Sequence, residues 1–515
     1  MKKISLYAVF LIIVLAGCKS KTIEEEEPKQ PNIVYILADD LGYGDVNVYN
    51  PEGKIPTPNI DRMAENGMLF TDAHTSSAVC TPTRYGILTG RYNWRSELKK
   101  HVLNGYSKSL IKQDRTTIAD MLKQQGYSTA FIGKWHLGWD WQLKSPDSLE
   151  ANGLNVDFTK PIKNGPTTHG FDYSFGFCAS LDMPPYVYVE NDMPTMVPTE
   201  YTGSKGMKFW RKGLTADDFS HIKVLQDITD KAVSFISEKA KGDKPFFLYL
   251  PLPAPHTPIL PTENFLGKSK TNTYGDFVMQ VDDVVRQVRE VLKQQGISEN
   301  TLIVFTSDNG CSPKADFETL ATFGHDPSHP LRGFKADIYE GGHRVPFIVE
   351  WPAKGLKNES SDKTICTTDF FATCADLTGY SIKDTEAEDS YSMLPLITGT
   401  NENAIREYTV HHSIDGRFAI RQGDWKLVFC PGSGGWSDPR PRDIKKNNLV
   451  LPPMQLFNLK DDIGETKSVI DDYPEKVVAL KAALKKIILD GRSTAGENQQ
   501  NEGMEGWTQI EEIVN

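Results

Sequence analysis

The sequence predicts an α/β fold: a large, mostly parallel sheet flanked by helices, then a smaller C-terminal α+β domain carrying an antiparallel sheet. Three observations predict it. Short apolar runs at residues 32–38 (NIVYILA), 245–250 (PFFLYL) and 302–306 (LIVFT) are bounded by turn residues, the pattern of strands buried on both faces. Amphipathic segments at 116–125 and 276–295, closed by Gly126 and Gly296, alternate with such runs, and strand–helix alternation builds parallel sheets. After Gly399 the texture changes to TVHHSIDGRFAIRQGDWKLVF and MQLFNLKDD, short alternating strands joined by turns, followed by a helix over 474–489.

With 515 residues, 39% of them hydrophobic, the chain can build one large core or two moderate ones. A formal charge of -11 argues against a protein whose main partner is nucleic acid, which needs clustered cations on a basic face. Residues 1–18 carry two lysines and an apolar run at 4–16, too short to span a membrane, and end in Leu15-Ala16-Gly17-Cys18. This reads as an export signal, and its end resembles the lipobox of bacterial lipoproteins, with Cys18 lipidated; a cleaved signal with a chance cysteine is the alternative. Residues 19–30 are charged and proline-bearing, a solvated tether. The catalytic domain is expected over 31–400, the α+β subdomain over 401–490 and a flexible tail over 491–515, which is rich in Gly, Gln and Glu.

Polar chemistry follows each apolar strand at once: Asp39-Asp40, Pro255-His256 and Asp308-Asn309. Ligands bind beyond the carboxyl ends of strands in open α/β sheets, so three such ends predict one shared site. Asp39 and Asp40 alone fit a solvated turn equally well. Paired with Asp308-Asn309 they supply oxygen ligands from separate segments, as a hard Ca²⁺ or Mg²⁺ ion requires. Lys134 and His136 stand two apart, so an extended backbone projects both to one face, a cation beside an imidazole suited to an anion that exchanges protons. His256 lies in a proline-walled loop, and Lys335 adds a cation in Arg332-Gly-Phe-Lys335, ahead of Glu340-Gly-Gly-His-Arg344. Together they describe a site for a tetrahedral oxyanion that lacks only a nucleophile. The seven cysteines are Cys18, Cys80, Cys178, Cys311, Cys366, Cys374 and Cys430, with no CxxC pair and no zinc spacing; a bridge among the last five stays open. Cys80 is the available candidate, readable as a thiol nucleophile, a disulfide half, a buried filler or the precursor of something else.

Cys80-Thr81-Pro82-Thr83-Arg84, with Leu88-Thr89-Gly90-Arg91 beyond it, resembles the Cys-x-Pro-x-Arg maturation signature of type I sulfatases. NIVYILADDLGYGD, GYSTAFIGKWHLG, HGFDYSFGF, PFFLYLPLPAPHTP, VDDVVRQV, LIVFTSDNG and RGFKADIYEGGHRVPFIVEWP extend the resemblance, in order, over nearly the whole chain from Pro31. The resemblance implies an alkaline-phosphatase-like fold and sulfate ester hydrolysis, with Cys80 oxidised by a maturation enzyme to formylglycine, whose hydrate carries two hydroxyls on one carbon. It implies Asp39, Asp40, residue 80, Asp308 and Asn309 as ligands of Ca²⁺, with Mg²⁺ the alternative. Arg84 and Lys134 would hold the formylglycine, His136 would take a proton from its second hydroxyl, and His256, assisted by Lys335, would be the general acid for the leaving alcohol. A sulfated glycan is the implied partner. Tyr106 resembles a pocket tyrosine of hexosamine 6-sulfatases, and CASLDMPPYVYVEND resembles bacterial sulfatases acting on 6-sulfated galactose or N-acetylgalactosamine; Tyr106, Asp182, Trp210 and His325 are the pocket candidates, with His329 nearby. HGFDYSFGF reads as structural. The alternatives are a phosphate or phosphonate ester hydrolase on the same site, and a non-catalytic glycan-binding lipoprotein with Cys80 unmodified. With a lipid at Cys18 the expected location is the periplasm or outer-membrane surface of a Gram-negative bacterium, and Glu24 to Glu27 resemble a surface-export signal of Bacteroidetes lipoproteins.

Overall fold

The computed structural model describes residues 29–145, 149–150 and 152–515. Cys18 and the acidic run at 24–27, with the export and lipidation readings built on them, lie outside the described residues. At the centre of the main sheet five strands run parallel, in the spatial order Thr301–Ser307, Asn32–Asp39, Phe246–Pro255, Ser128–Lys134 and Tyr173–Phe177. The three strands expected from apolar runs are all among them, and Ile33 to Ala38 are fully buried, as a strand covered on both faces must be. Beyond Thr301–Ser307 the sheet turns mixed, with Phe347–Glu350 antiparallel to it and Met68–Phe70 antiparallel in turn.

Register matters more here than strand count. Ala38 pairs with Ser307 and Asp39 with Pro255, so Asp39, Asp308 and His256 leave the sheet at one level. The helices expected at 116–125 and 276–295 form as Ile118–Gln124 and Thr273–Gln294. Gly126 (φ 89°) and Gly296 (φ 70°) take the left-handed backbone that ends them. Thr117 caps the first by accepting from the Asp120 N–H, and Asn272 caps the second by accepting from Gly275.

The C-terminal domain is as expected: antiparallel strands Thr409–His412, Phe418–Gln422, Trp425–Val428 and Gln455–Asn458, then the helix Pro474–Leu489. It meets the main domain through buried charge. Arg421 Nη1 donates to Asp72 Oδ1 at 2.7 Å, and Lys426 Nζ to Glu340 Oε1 at 3.0 Å.

Residues 491–515, expected to be a flexible tail, instead pack. Trp507, Ile510 and Ile513 are buried in the core shared by the C-terminal sheet with Tyr92 and Trp94. The Trp507 ring lies 5.9 Å from those of Trp94 and Phe418, and Lys99 Nζ sits 3.9 Å above it. Apolar residues three apart on a returning segment outweigh its polar composition. Trp507→Ala therefore lowers unfolding free energy by about 3–5 kcal/mol in urea titration, the range for a core tryptophan; a change near zero would restore the loose tail.

Candidate active site

The helix Cys80–Thr89 places its first residue at the sheet's carboxyl edge and ends at Gly90, which has φ 63°. Cys80 and Arg84, one turn apart, share a face. The Cys80 sulfur lies 3.7 Å from Asp39 Oδ1 and 3.7 Å from Lys335 Nζ. Lys134 Nζ is 2.5 Å from Asp39 Oδ2, and Lys335 Nζ is 2.6 Å from Asp40 Oδ1. Arg84 donates through Nε and Nη2 to Asp308 Oδ2, at 3.0 and 2.8 Å, and through Nη1 to the Lys134 carbonyl at 2.9 Å. Asn309 Nδ2 donates to Asp40 Oδ1 at 2.7 Å, and His256 Nε2 stands 3.6 Å from Asp40 Oδ2. The structure thus brings together Asp39, Asp40, Cys80, Arg84, Lys134, His256, Asp308, Asn309 and Lys335.

His136 reaches this region by a different route than expected. The strand stops at Lys134, and His136 has φ 55°, a left-handed backbone rare for residues with a Cβ. A turn, not strand alternation, orients its ring, with Nε2 donating to the Leu103 carbonyl at 2.8 Å. Its Nδ1 is buried without a partner. Burial, reinforced by Lys134 and Arg84, holds the imidazole well below its ordinary pKa, so it is a neutral ring with one free lone pair.

The other charges divide cleanly. Burial opposes ionisation of Asp39, yet Lys134, His256, Arg84 and Lys335 outweigh it and hold the carboxyl below its usual range. For Lys335 burial is likewise outweighed, by Asp40 above all, and the ammonium stays charged. Burial pushes the Cys80 thiol up to about 12 despite Lys134 and Lys335, which leaves almost no thiolate at neutral pH. Burial and the neighbouring Asp39 push the Asp308 carboxyl the other way, above its ordinary pKa, against Arg84 and Lys134. Three carboxyl groups thus face three cations, and a dication can enter together with an anionic ester without a large net charge.

Ligand atoms of Asp39, Asp40, Cys80 and His256 lie within 4.8 Å of one another. Asn309 Oδ1 beside them is buried without a hydrogen-bond partner. Carboxylate and amide oxygens from two strand ends suit a hard divalent cation, and the orphaned amide oxygen is a ligand atom such an ion would engage. His74, His343 and His411 also cluster. Their site differs: the His343 and His411 rings stack in parallel with centroids 4.0 Å apart, and Arg421 and Lys426 crowd the nitrogens, at 2.8 Å from His74 Nε2 and 3.2 Å from His343 Nε2. With His74 tilted 40° to both rings and two of the nitrogens facing cations, the cluster does not present three free lone pairs to one ion.

The pocket candidates separate. Asp182 is 7% exposed, pairs through Oδ2 with Arg211 Nη1, and keeps Oδ1 buried and unpartnered. Trp210, next to Arg211, is half-buried, donates Nε1–H to Thr202 and stacks on His221 at 4.1 Å. Tyr106 is half-buried, its hydroxyl donating to the Asn152 carbonyl. His325 is not a pocket residue: Nε2 pairs with Asp45 at 2.9 Å and Nδ1 accepts from the Lys54 N–H, a buried brace under the turn after Asp40. His329 is exposed. HGFDYSFGF is structural, with the His169 ring against Trp135 and residues 173–177 in the sheet. The cysteines among the described residues are all free and buried, so no bridge links the last five.

Ser180 was not anticipated. Lys134 Nζ donates to its Oγ at 3.2 Å, and His256 Nε2 lies 3.2 Å from the same oxygen. A loop serine carries no spacing signal; only the adjacency of strands 128–134, 173–177 and 246–255 brings it between the Lys134 ammonium and the His256 ring.

Acidic, cationic and imidazole groups gathered at the carboxyl edge of a mostly parallel sheet define a hydrolytic site for an ester of a tetrahedral oxyanion. A family model described as Sulfatase matches residues 31–380, and the chain belongs to the sulfatase family, whose members are sulfuric ester hydrolases. An N-acetylgalactosamine-6-O-sulfatase of Bacteroides thetaiotaomicron is 34% identical over 92% of this chain and 97% of its own length. Human arylsulfatase A is 30% identical, over 94% of this chain and 92% of its own. A solved 6S-sulfatase of Bacteroides thetaiotaomicron, described within glycosaminoglycan metabolism, superposes with TM-score 0.77 at 32% identity, covering 89% of this chain and 99% of that one.

Proposed function

We propose that the chain removes O-sulfate from carbon 6 of galactose or N-acetylgalactosamine units in a sulfated glycan, with formylglycine at position 80 and Ca²⁺ held by Asp39, Asp40, residue 80, Asp308 and Asn309. The likeness to an N-acetylgalactosamine-6-O-sulfatase along almost the full length of both chains carries the substrate reading. Asp182 Oδ1 supports it, since a buried carboxylate oxygen without a donor is ready for a sugar hydroxyl.

A formylglycine hydrate supplies one hydroxyl to attack sulfur and a second whose deprotonation expels sulfate, which a thiol cannot do. A hard dication supplies attraction for sulfate oxygens and eases ionisation of an adjacent hydroxyl. The side chains do the rest. Arg84 fixes Asp308 and the Lys134 carbonyl, so the oxygen ligands and the first cation hold one geometry. Lys134 and Lys335 flank residue 80 and balance negative charge on its oxygens and on the sulfate. His136, neutral with Nδ1 free, accepts the proton of the second hydroxyl. His256 donates Nδ1–H to the Thr257 carbonyl, which leaves Nε2, between Ser180 and Asp40, to protonate the leaving alcohol beside Lys335.

Export as a lipoprotein through Cys18, to the periplasm or outer-membrane surface, and maturation by a formylglycine-generating enzyme complete the proposal; a polysaccharide scavenger needs contact with large extracellular substrates. The test is a panel of galactose 6-sulfate, N-acetylgalactosamine 6-sulfate and 4-sulfate, N-acetylglucosamine 6-sulfate and galactose 6-phosphate. The two galacto-configured 6-sulfates are expected to turn over at least about tenfold faster than the rest, a difference of about 1.4 kcal/mol in transition-state binding, and chelation is expected to stop all turnover. A faster 4-sulfate, gluco-configured 6-sulfate or phosphate overturns the substrate reading.

A further inference from the structure

We infer that Thr81 is a positioning residue for the His136 base, linking it to residue 80 through one side-chain hydroxyl; this rests on the proposed role of His136. Thr81 is fully buried directly after Cys80. Its Oγ1 donates to the His136 carbonyl at 2.9 Å and accepts the Leu103 N–H at 3.2 Å. The Leu103 carbonyl in turn accepts His136 Nε2–H at 2.8 Å. Thr81, Leu103 and His136 therefore close a ring of three hydrogen bonds in which both backbone groups of Leu103 are used.

The ring settles two matters that the histidine alone leaves open. With its proton committed to the Leu103 carbonyl at Nε2, the neutral imidazole keeps its lone pair at Nδ1, the nitrogen that is buried and unpartnered. The left-handed backbone of His136 is also held from both sides, its N–H donating to the Cys178 carbonyl at 3.1 Å and its carbonyl accepting from Thr81. Because Thr81 adjoins Cys80 on the same helix turn, displacement of residue 80 and of the base are coupled. The loop bearing Leu103 is pinned in its turn, with His101 N–H donating to the Ile414 carbonyl at 2.7 Å and Lys99 Nζ to the Glu502 carbonyl at 2.5 Å.

Thr81→Val keeps the shape and removes the hydroxyl, Thr81→Ser keeps the hydroxyl, and Thr81→Ala serves as a second deletion. Each is expressed with the maturation enzyme, its formylglycine content is measured by mass spectrometry at residue 80, and kcat and KM for an aryl sulfate are expressed per formylglycine. The Val and Ala variants are expected to lose about tenfold in kcat with KM within about twofold, the scale of a misplaced catalytic group, and Ser to stay within about threefold of the parent. Val and Ala variants with kcat within twofold of the parent, or a Ser variant as slow as Val, overturn the inference. His136→Ala is measured alongside: retained turnover there refutes the base assignment itself, which separates that failure from one of the Thr81 link.

Discussion

Cys80→Ala abolishes sulfate ester turnover, by a factor on the order of 10⁴–10⁶, the scale of losing a covalent nucleophile, and leaves the fold standing. Activity and stability part company because of what surrounds the sulfur. Cys80 is 2% exposed, but its sulfur stands beside Asp39 and Lys335 and the residue lies outside the main apolar cluster, so truncation removes few packing contacts. The stability cost is about 1 kcal/mol, near that of one buried methylene. Burial that holds the thiol near 12 leaves it protonated at neutral pH, so an unconverted cysteine is expected to be as inactive as alanine. The measurement is turnover of an aryl sulfate beside urea unfolding and the mass of the peptide containing residue 80. Substantial turnover in the alanine variant, or activity in parent protein whose residue 80 is an intact thiol, contradicts the formylglycine reading.

What the sequence disclosed follows from which forces are local. Strands 32–39, 246–255 and 301–307 were legible because burial on both faces writes an uninterrupted apolar run, and the parallel sheet followed from the helices between them. Asp39-Asp40, His256 and Asp308-Asn309 were legible as strand-end chemistry for the same reason. The helix Cys80–Thr89 was not, because every residue in it is buried and no amphipathic period exists to read. Its first residue, Cys80, meets side chains 41 and 255 positions away. His325 shows the converse error: a histidine near the site in sequence has both ring nitrogens spent on Asp45 and Lys54. The tail's signal, Trp507, Ile510 and Ile513 at helical spacing, was present but diluted by the Gly, Gln and Glu around it. Ser180 and Thr81 gain their roles only from hydrogen bonds between distant segments, which no local pattern encodes.

Asp308→Ala is expected to fail on both counts, and the reason is Arg84. That guanidinium is fully buried, and Asp308 Oδ2 takes two of its N–H groups, while Asp39 Oδ2 is farther away at 3.8 Å. Removing Asp308 strands a desolvated cation and also frees the Asp40 N–H, which donates to Asp308 Oδ1 at 3.3 Å. Breaking a buried pair from one side costs about 3–5 kcal/mol, a large share of a typical domain's stability. Turnover is expected to fall at least about a thousandfold, since the residue both carries a proposed metal oxygen and fixes Arg84. The double variant Arg84→Met with Asp308→Leu separates the two effects, because replacing both charges with apolar groups of similar volume is often close to neutral for stability. It is expected to recover most of the unfolding free energy and none of the activity. Both variants are unfolded in urea with chelator present, so that loss of a bound cation adds nothing to the difference. An Asp308→Ala protein within about 1 kcal/mol of the parent, the size of an ordinary hydrogen bond, shows that Arg84 finds another anion and that the pair is not what holds the site together.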